Sequence, residues 1–333
     1  MMKKQNSYLS KHKWNLIKLM ILALLVIATI TAFMLIGIDF SKPKLVAFAF
    51  KLRAPKLVAM LVAAFAIGAA SIVFQSIINN RIVTPCLLGM NALYTLIHTL
   101  IFFALGSGSI FAANDTVAYI IDLIIMAVVA TFIYGYLFKK TNYNVLYVLL
   151  IGTVLSSLFG SIQSSMIFVM DPNEYDILLE TLVASFSNIK TEIISFSVVL
   201  LTVVAFFLRK DLQLLDVITL GKEQAINLGV DYDRVVRRLL IGVTLCIAVA
   251  TAMIGPISFL GLIIANLARQ LLKTYRHSHL IIGSGLIGML ALVGSQCLVE
   301  RVFDYSVPVS VFITIGGGIY FLWLLLWGKR GSI

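Results

Sequence analysis

"LRAPKLVAMLVAAFAIGAASIVFQSIINNRIVTPCLLG", residues 52–89, sets a basic segment directly against an apolar run and closes in a polar turn. Arg53 and Lys56 bracket Pro55, and Lys42, Lys44 and Lys51 precede them. No side chain from Leu57 to Ile78 carries a charge. A helix of that length, rising 1.5 Å per residue, crosses a hydrocarbon core about 30 Å thick.

The remaining sequence has the same character. With 60% hydrophobic residues, 12% charged residues and a mean hydropathy of +1.02, a chain of 333 residues has too little polar surface to cover a water-soluble globule. Its apolar runs are near-continuous, and the ten-residue alternation of a membrane β-barrel is absent. The expected class is therefore all-α: a polytopic membrane protein forming one domain over residues 1–333. Ten spans are predicted, near 15–38, 57–78, 87–105, 117–138, 145–168, 192–208, 239–254, 257–272, 280–298 and 308–327. At Gly255-Pro256 the proline either separates two spans or kinks one long helix. The first run follows Lys3, Lys4, Lys11, Lys13 and Lys18 like a signal peptide, but it is too long and lacks a small-x-small cleavage site. It reads as an uncleaved span behind a cytoplasmic tail, residues 1–14.

With the N-terminus inside, the predicted cytoplasmic segments collect 19 of the 26 Lys and Arg residues. Only Lys42, Lys44, Lys51, Arg53, Lys56, Lys190 and Arg301 fall outside, beside acids such as Asp171, Glu174, Asp176, Glu180 and Glu192. The positive-inside rule thus places both termini in the cytoplasm of a multi-pass protein of the cell membrane. Cytoplasmic loops also account for most of the net charge of +11, so no nucleic-acid partner is expected. The basic segment before the second span runs against this bias. Two readings suit it: an anchor to anionic lipid headgroups, or a docking surface for a protein.

Small residues at 63–71, 283–295 and 316–318 let helix backbones approach closely, which predicts central positions for those spans. The cytoplasmic stretch 209–238 contains a short amphipathic piece, Ala225, Ile226 and Leu228 following Lys222 and Glu223 and ended by Gly229. A helix that short needs a partner surface.

Catalytic constellations are missing. The four histidines make no HExxH or other metal-ligand spacing, and no phosphate-binding glycine loop occurs. Cys86, Cys246 and Cys297 lie far apart in or beside apolar segments and read as inert thiols. Asp122, one turn into the fourth span, reads as structural. The candidate pathway-lining residues are uncharged: Gln75, Asn79, Asn91, Gln163, Ser164 and Gln296. Such a path passes a polar solute without supplying energy, so the energy must come from a partner. A gradient-driven secondary carrier and an intramembrane lipid enzyme are the rival classes. The first lacks midplane charges, and the second lacks a histidine or carboxylate cluster.

The opening stretch resembles the second-span region of permeases from binding-protein-dependent importers of iron-siderophores and cobalamin, the FecCD or cobalamin-permease-like family. "LGKEQAINLGVDYDRVVRR" (220–238), "GPISFLGLIIANLAR" (255–269) and "ERVF" (300–303) followed by "VPVSVFITIGGGIYFLWLL" (307–325) extend the resemblance. It implies a ten-span, type II ABC importer fold. By that resemblance Arg53, Lys56 and Arg301 dock the extracytoplasmic siderophore-binding protein. Leu220, Gly221, Glu223, Ala225, Leu228 and Gly229 couple to the ATP-binding subunit. The implied partners are a second permease chain, identical or not, two ATP-binding subunits, the binding protein, the ferric siderophore and membrane lipid. No cofactor is implied for this chain, since ATP is used by the partner subunits. The chain departs from the family pattern at Ala265 and Asn266, where many members have proline and histidine. It also reads "NNRIVTP" in place of "NPLA" and "GGGIYF" in place of a "GGPFF" type of sequence. These variations resemble the branch for catecholate and mixed siderophores such as petrobactin or anguibactin.

Overall fold

The computed structural model describes residues 2–38, 41–109, 114–141, 145–186 and 189–327. Lys329 and Arg330, counted above as cytoplasmic, lie outside them. Twelve α-helices are present among the described residues. In chain order they are α1 (Met2–Leu35), α2 (Pro43–Ile78), α3 (Met90–Leu105), α4 (Asp115–Lys140), α5 (Val145–Val169) and α6 (Pro172–Leu182). Then come α7 (Thr191–Ile218), α8 (Lys222–Asn227), α9 (Tyr232–Ile254), α10 (Leu260–Leu272), α11 (His277–Arg301) and α12 (Val309–Trp327). A short 3₁₀ turn, Pro85–Leu88, precedes α3.

Among the described residues, seven helices are long and apolar enough to cross a membrane: α1, α2, α4, α5, α7, α9 and α11. The shorter apolar helices α3, α10 and α12 complete the ten expected spans. Helices α6 and α8 lie between spans and mark the two poles of the bundle.

Two elements differ from the sequence expectation. The basic segment before the second span is helical: α2 starts at Pro43, with Pro at its first turn where a missing N–H costs nothing. Pro55 lies inside this helix. It removes one i→i−4 bond, a loss the helix bears where it has left the apolar core. Helix α1 likewise runs back to Met2 through the predicted tail.

The helix pair α2 and α11 forms the centre, and small residues set its spacing. A Cβ on Gly68 would stand 3.1 Å from the backbone nitrogen of Gly285, and one on Gly288 would stand 3.2 Å from Ala64. Helices α7, α9 and α10 pack around α2, and α1 covers α11. Of the three glycines at 316–318 only Gly317 is packed, against Phe259, while Gly316 and Gly318 face open space.

The break at Gly255-Pro256 separates two helices. Gly255 has φ +86°, and a Cβ there would meet the Ala184 backbone at 2.8 Å, so glycine is required on both counts. Helix α10 then begins beside Ile67 and Ser71, well inside α2. Across the break, Asn91 at the start of α3 donates to Ser258 Oγ at 3.3 Å. Two short helices thus start in the protein interior, and their connecting backbone is shielded by protein, as irregular chain at membrane depth must be.

Helices α3 and α4 are joined by a contact the sequence reading missed. His98 Nε2 lies 2.7 Å from Asp122 Oδ2, and both side chains are buried. The Tyr94 ring packs on the imidazole. Asp122 therefore does not reach the membrane interface. Removing one partner leaves the other buried and uncompensated, at a cost of about 3–5 kcal/mol. Asp122→Leu and His98→Leu are each expected to destabilise the detergent-solubilised protein by about that amount. The double substitution should recover most of the loss, as read from a double-mutant cycle of denaturant unfolding; additive losses would remove the pair's role.

Candidate functional site

At the α6 pole, residues from four parts of the chain converge. Arg53 Nη1 donates to the carbonyls of Phe33, Met34 and Ile36 at 3.0, 2.9 and 3.0 Å. These are carbonyls from the last turn of α1 and just past it, which have no helical donor of their own. Arg301, from the last turn of α11, also donates to Ile36. Gly37 lies against its guanidinium with φ +75°, where a Cβ would have no room. Lys56 sits 4.0 Å from Glu300 and its Nζ lies over the Tyr305 ring at 5.5 Å. Gln296 donates to the same Glu300 at 2.8 Å. Asp304 and Tyr305 both adopt positive φ, a rare arrangement for two successive non-glycine residues. Burial, then the Glu300 carboxylate, push the Tyr305 phenol up from its ordinary pKa, so it stays protonated.

The three residues that the resemblance assigns to docking therefore form one cluster, with their charges turned partly inward. The Arg53 and Arg301 caps are not legible in the sequence, because partners 17 to 20 and 265 residues apart leave no periodic trace. Lys44 and Lys51 on α2, and Lys42 at its N-cap, are exposed.

At the α8 pole, the coupling candidates form a compact projection. Helix α7 continues to Ile218, and Gly221 and Gly229, at φ +104° and +83°, turn the chain into and out of α8. Ala225 is completely buried, which fixes α8 against its neighbours α7 and α9. Lys222 bridges to Asp233 on α9 at 2.9 Å. Leu220, Ile226 and Leu228 are 54%, 51% and 63% exposed: Ile226 lies on a helix of six residues and the two leucines flank it, and none of the three is covered by the described residues. Ile226, which the sequence places in the same amphipathic piece, shares this exposure. Glu223 is exposed beside them.

The candidate pathway residues do not gather in one place. Gln75 is buried and donates to the Arg81 carbonyl at 2.8 Å. Asn79 ends α2 in the left-handed conformation. Asn91 meets Ser258 in the interior, and Gln296 belongs to the Arg53 cluster. Gln163 and Ser164 lie on α5, whose outer face carries exposed Thr153, Ser157, Ser161 and Ser164. Asn266, one of the departures from the family pattern, donates to the Arg81 carbonyl at 2.8 Å and ties α10 to the turn after α2. Among the described residues, no group of three or more His, Cys, Asp or Glu side chains is placed to hold a metal ion.

An all-helical bundle with interrupted inner helices and a projecting short helix between spans is the architecture of a membrane transport subunit. The sequence matches the FecCD transport family across residues 15–327, and the chain belongs to that family. It is similar to the petrobactin import system permease protein YclO of Bacillus subtilis, 42% identical over 82% of this chain and 87% of that protein. The petrobactin import system permease protein FatC of Bacillus anthracis is 31% identical over 83% of this chain and 78% of its own length. Among solved structures, an inward-facing conformation of a metal-chelate type ABC transporter has the same fold, with TM-score 0.75 at 24% identity, covering 93% of this chain and 98% of that one.

Charge-assisted hydrogen bonds contribute about 1.5–3 kcal/mol each, and Arg53 makes three, of which only that to Ile36 is shared with Arg301. Arg53→Ala is expected to destabilise the protein by about 2–3 kcal/mol and to raise amide exchange at the end of α1. Lys42→Ala should stay within about 0.5 kcal/mol of the parent. Equal effects of the two substitutions would contradict the capping role.

Proposed function

We propose that this chain is the permease subunit of a binding-protein-dependent ABC importer that moves a ferric siderophore, of the catecholate or mixed petrobactin-like class, into the cytoplasm. The uncovered apolar face of Leu220, Ile226 and Leu228 carries this reading. Outside the membrane such a face, on a helix too short to stand alone, calls for a partner groove, and in this transport class that partner is an ATP-binding subunit. Movement of the partner would reach the bundle directly, since α8 is bonded to α9 through Lys222 and Asp233 and α9 packs on α2, α4 and α7. The relatives named for petrobactin import support the substrate class.

The distribution of basic residues supports an orientation with the α8 pole and both termini in the cytoplasm of the cell membrane. The opposite pole then faces the binding protein. Arg53, Lys56 and Arg301 hold the surface together there, while exposed Lys42, Lys44 and Lys51 add the field that steers an acidic partner. The second permease chain would cover the exposed, hydroxyl-bearing face of α5, with Gln163 and Ser164 bordering the path between the two chains. Hydroxyls and open glycines on a helix facing lipid would gain nothing, whereas a facing helix or a hydrated path uses them.

The test is uptake of radioactive iron supplied as a panel of ferric siderophores, in cells lacking the chain and in complemented cells. The intact chain should restore one chelate class. Leu228→Asp with Ile226→Asp should abolish that uptake, by more than about tenfold, at unchanged membrane abundance, since two carboxylates would oppose an apolar groove. Normal uptake by this variant would refute the coupling role. A deletion strain that takes up every chelate normally would refute the siderophore reading. Reversing Lys42, Lys44 and Lys51 to Glu should lower uptake mainly at low binding-protein concentration, an effect weakened by salt.

A further inference from the structure

Beside α8, the ends of α2, α7, α10 and α11 border an open-mouthed cavity of about 570 Å³. That lies within the range of about 300–1,000 Å³ typical of small-molecule sites. Arg81, Arg269, Lys273 and His277 line it together with hydroxyl and amide side chains, and none of its lining residues carries a carboxylate. We propose that this cavity binds a soluble small polyanion bearing phosphate or carboxylate oxygens.

The cations are not consumed by the fold. Arg269 gives one bond, from Nη2 to Ser76 Oγ at 2.9 Å, and its Nε is buried without a partner. Arg81 lies close enough to Arg269 to repel it. The side chains of Arg81 and Lys273 have no hydrogen bond or ion pair among the described residues. Capping does not explain them either. Asn79 and Lys273 close α2 and α10 in left-handed conformations, with their own backbone N–H groups donating to Gln75, Ser76 and Arg269 carbonyls. Asp216, the carboxylate against His277, is held by the imidazole and backbone N–H of that residue.

Gathering like charges around a concave wall costs free energy that a bound anion returns, and low-dielectric walls strengthen the attraction. The arrangement is also fixed in advance. Gln75 and Asn266 both donate to the Arg81 carbonyl at 2.8 Å, which holds the turn carrying Arg81 against α10. Little ordering is then left for the ligand to impose. Thr219, two residues before the turn into α8 is complete, forms part of the wall. An occupant therefore touches the segment that carries the coupling helix, so binding is expected to alter the rate at which the partner subunits work. A concave cleft whose wall gathers several cations suits a small polyanion, and the exposed apolar side chains on and beside α8 already provide for a protein partner.

The experiment uses the full chain in lipid nanodiscs, titrated calorimetrically with inorganic pyrophosphate and with citrate at constant ionic strength. Saturable binding near one ion per chain is expected for at least one of them. Arg81→Gln with Lys273→Gln should weaken it more than tenfold, and Arg269→Lys should retain part of it. Arg237→Gln, an exposed cation at the same pole outside the cavity, should leave it unchanged. Absence of saturable binding to either ion overturns the proposal, and so does an equal loss in Arg237→Gln, which would mean diffuse charge attraction. Repeating the titration on the chain assembled with its ATP-binding subunits separates the remaining alternative. If assembly abolishes binding and the cavity variants lose the subunits on purification, a partner's acidic side chain is the occupant and the proposal falls.

Discussion

In a bilayer, apolar surface gains nothing by leaving lipid for protein, so this bundle depends on how closely two backbones can approach. The contact of α2 with α11 supplies that approach. Gly68, Gly285, Gly288 and Ala64 leave no side-chain layer between the helices, and dispersion contacts accumulate along the shared length. The other inner helices take their positions from this pair. Helix α10 lies against both, with Gly261 set on Ser71 and Ile264 beside Gly288, and α9 packs along α2. A side chain added at Gly68, Gly261 or Gly288 meets two neighbouring residues, and one at Gly285 meets the Phe65 ring.

Close packing at the centre also explains how the chain tolerates broken helices. The Gly255-Pro256 interruption and the turn before α3 expose backbone groups that lipid could not satisfy. They lie where Asn91, Ser258, Ser185 and Ile254 reach across from other segments, the last two through a backbone bond of 3.0 Å. Interrupted helices of this kind give a transporter interior polar atoms without charges. That agrees with a path for a polar solute whose movement is powered from outside the chain.

The ten spans were legible because hydropathy over some twenty residues is a local property. So were the small-residue spans at 63–71 and 283–295, and the isolation of α8, whose flanking glycines and alternating charge stand within one short window. What escaped the sequence was pairing over distance. Arg53 looked like free positive charge because nothing near it in sequence is acidic, yet its partners are carbonyls, which composition cannot reveal. His98 and Asp122 stand in different spans, and only helix rotation brings them within 2.7 Å. The pathway candidates failed to converge for the same reason: hydropathy fixes where a helix is, and not which side it turns inward. Helix α2 was set too short because hydropathy stops at the charged segment, whereas the backbone continues through Pro55 as a helix in a more polar surrounding.

The two poles are thereby built on opposite logic. At the α6 pole the charges are neutralised internally: carbonyls receive Arg53 and Arg301, and Glu300 receives Lys56 and Gln296. A surface built so is stiff, and it can present the outlying lysines at a fixed distance from any partner. At the α8 pole, Lys222 is paired with Asp233, but apolar side chains stay exposed and the cavity cations Arg81 and Lys273 have no paired carboxylate among the described residues, and each is a deficit that another molecule can fill. A transport subunit with no energy source of its own needs this asymmetry. Under the proposed function, one end would hold its shape while a cargo is presented, and the other would be completed by the partners that supply the energy.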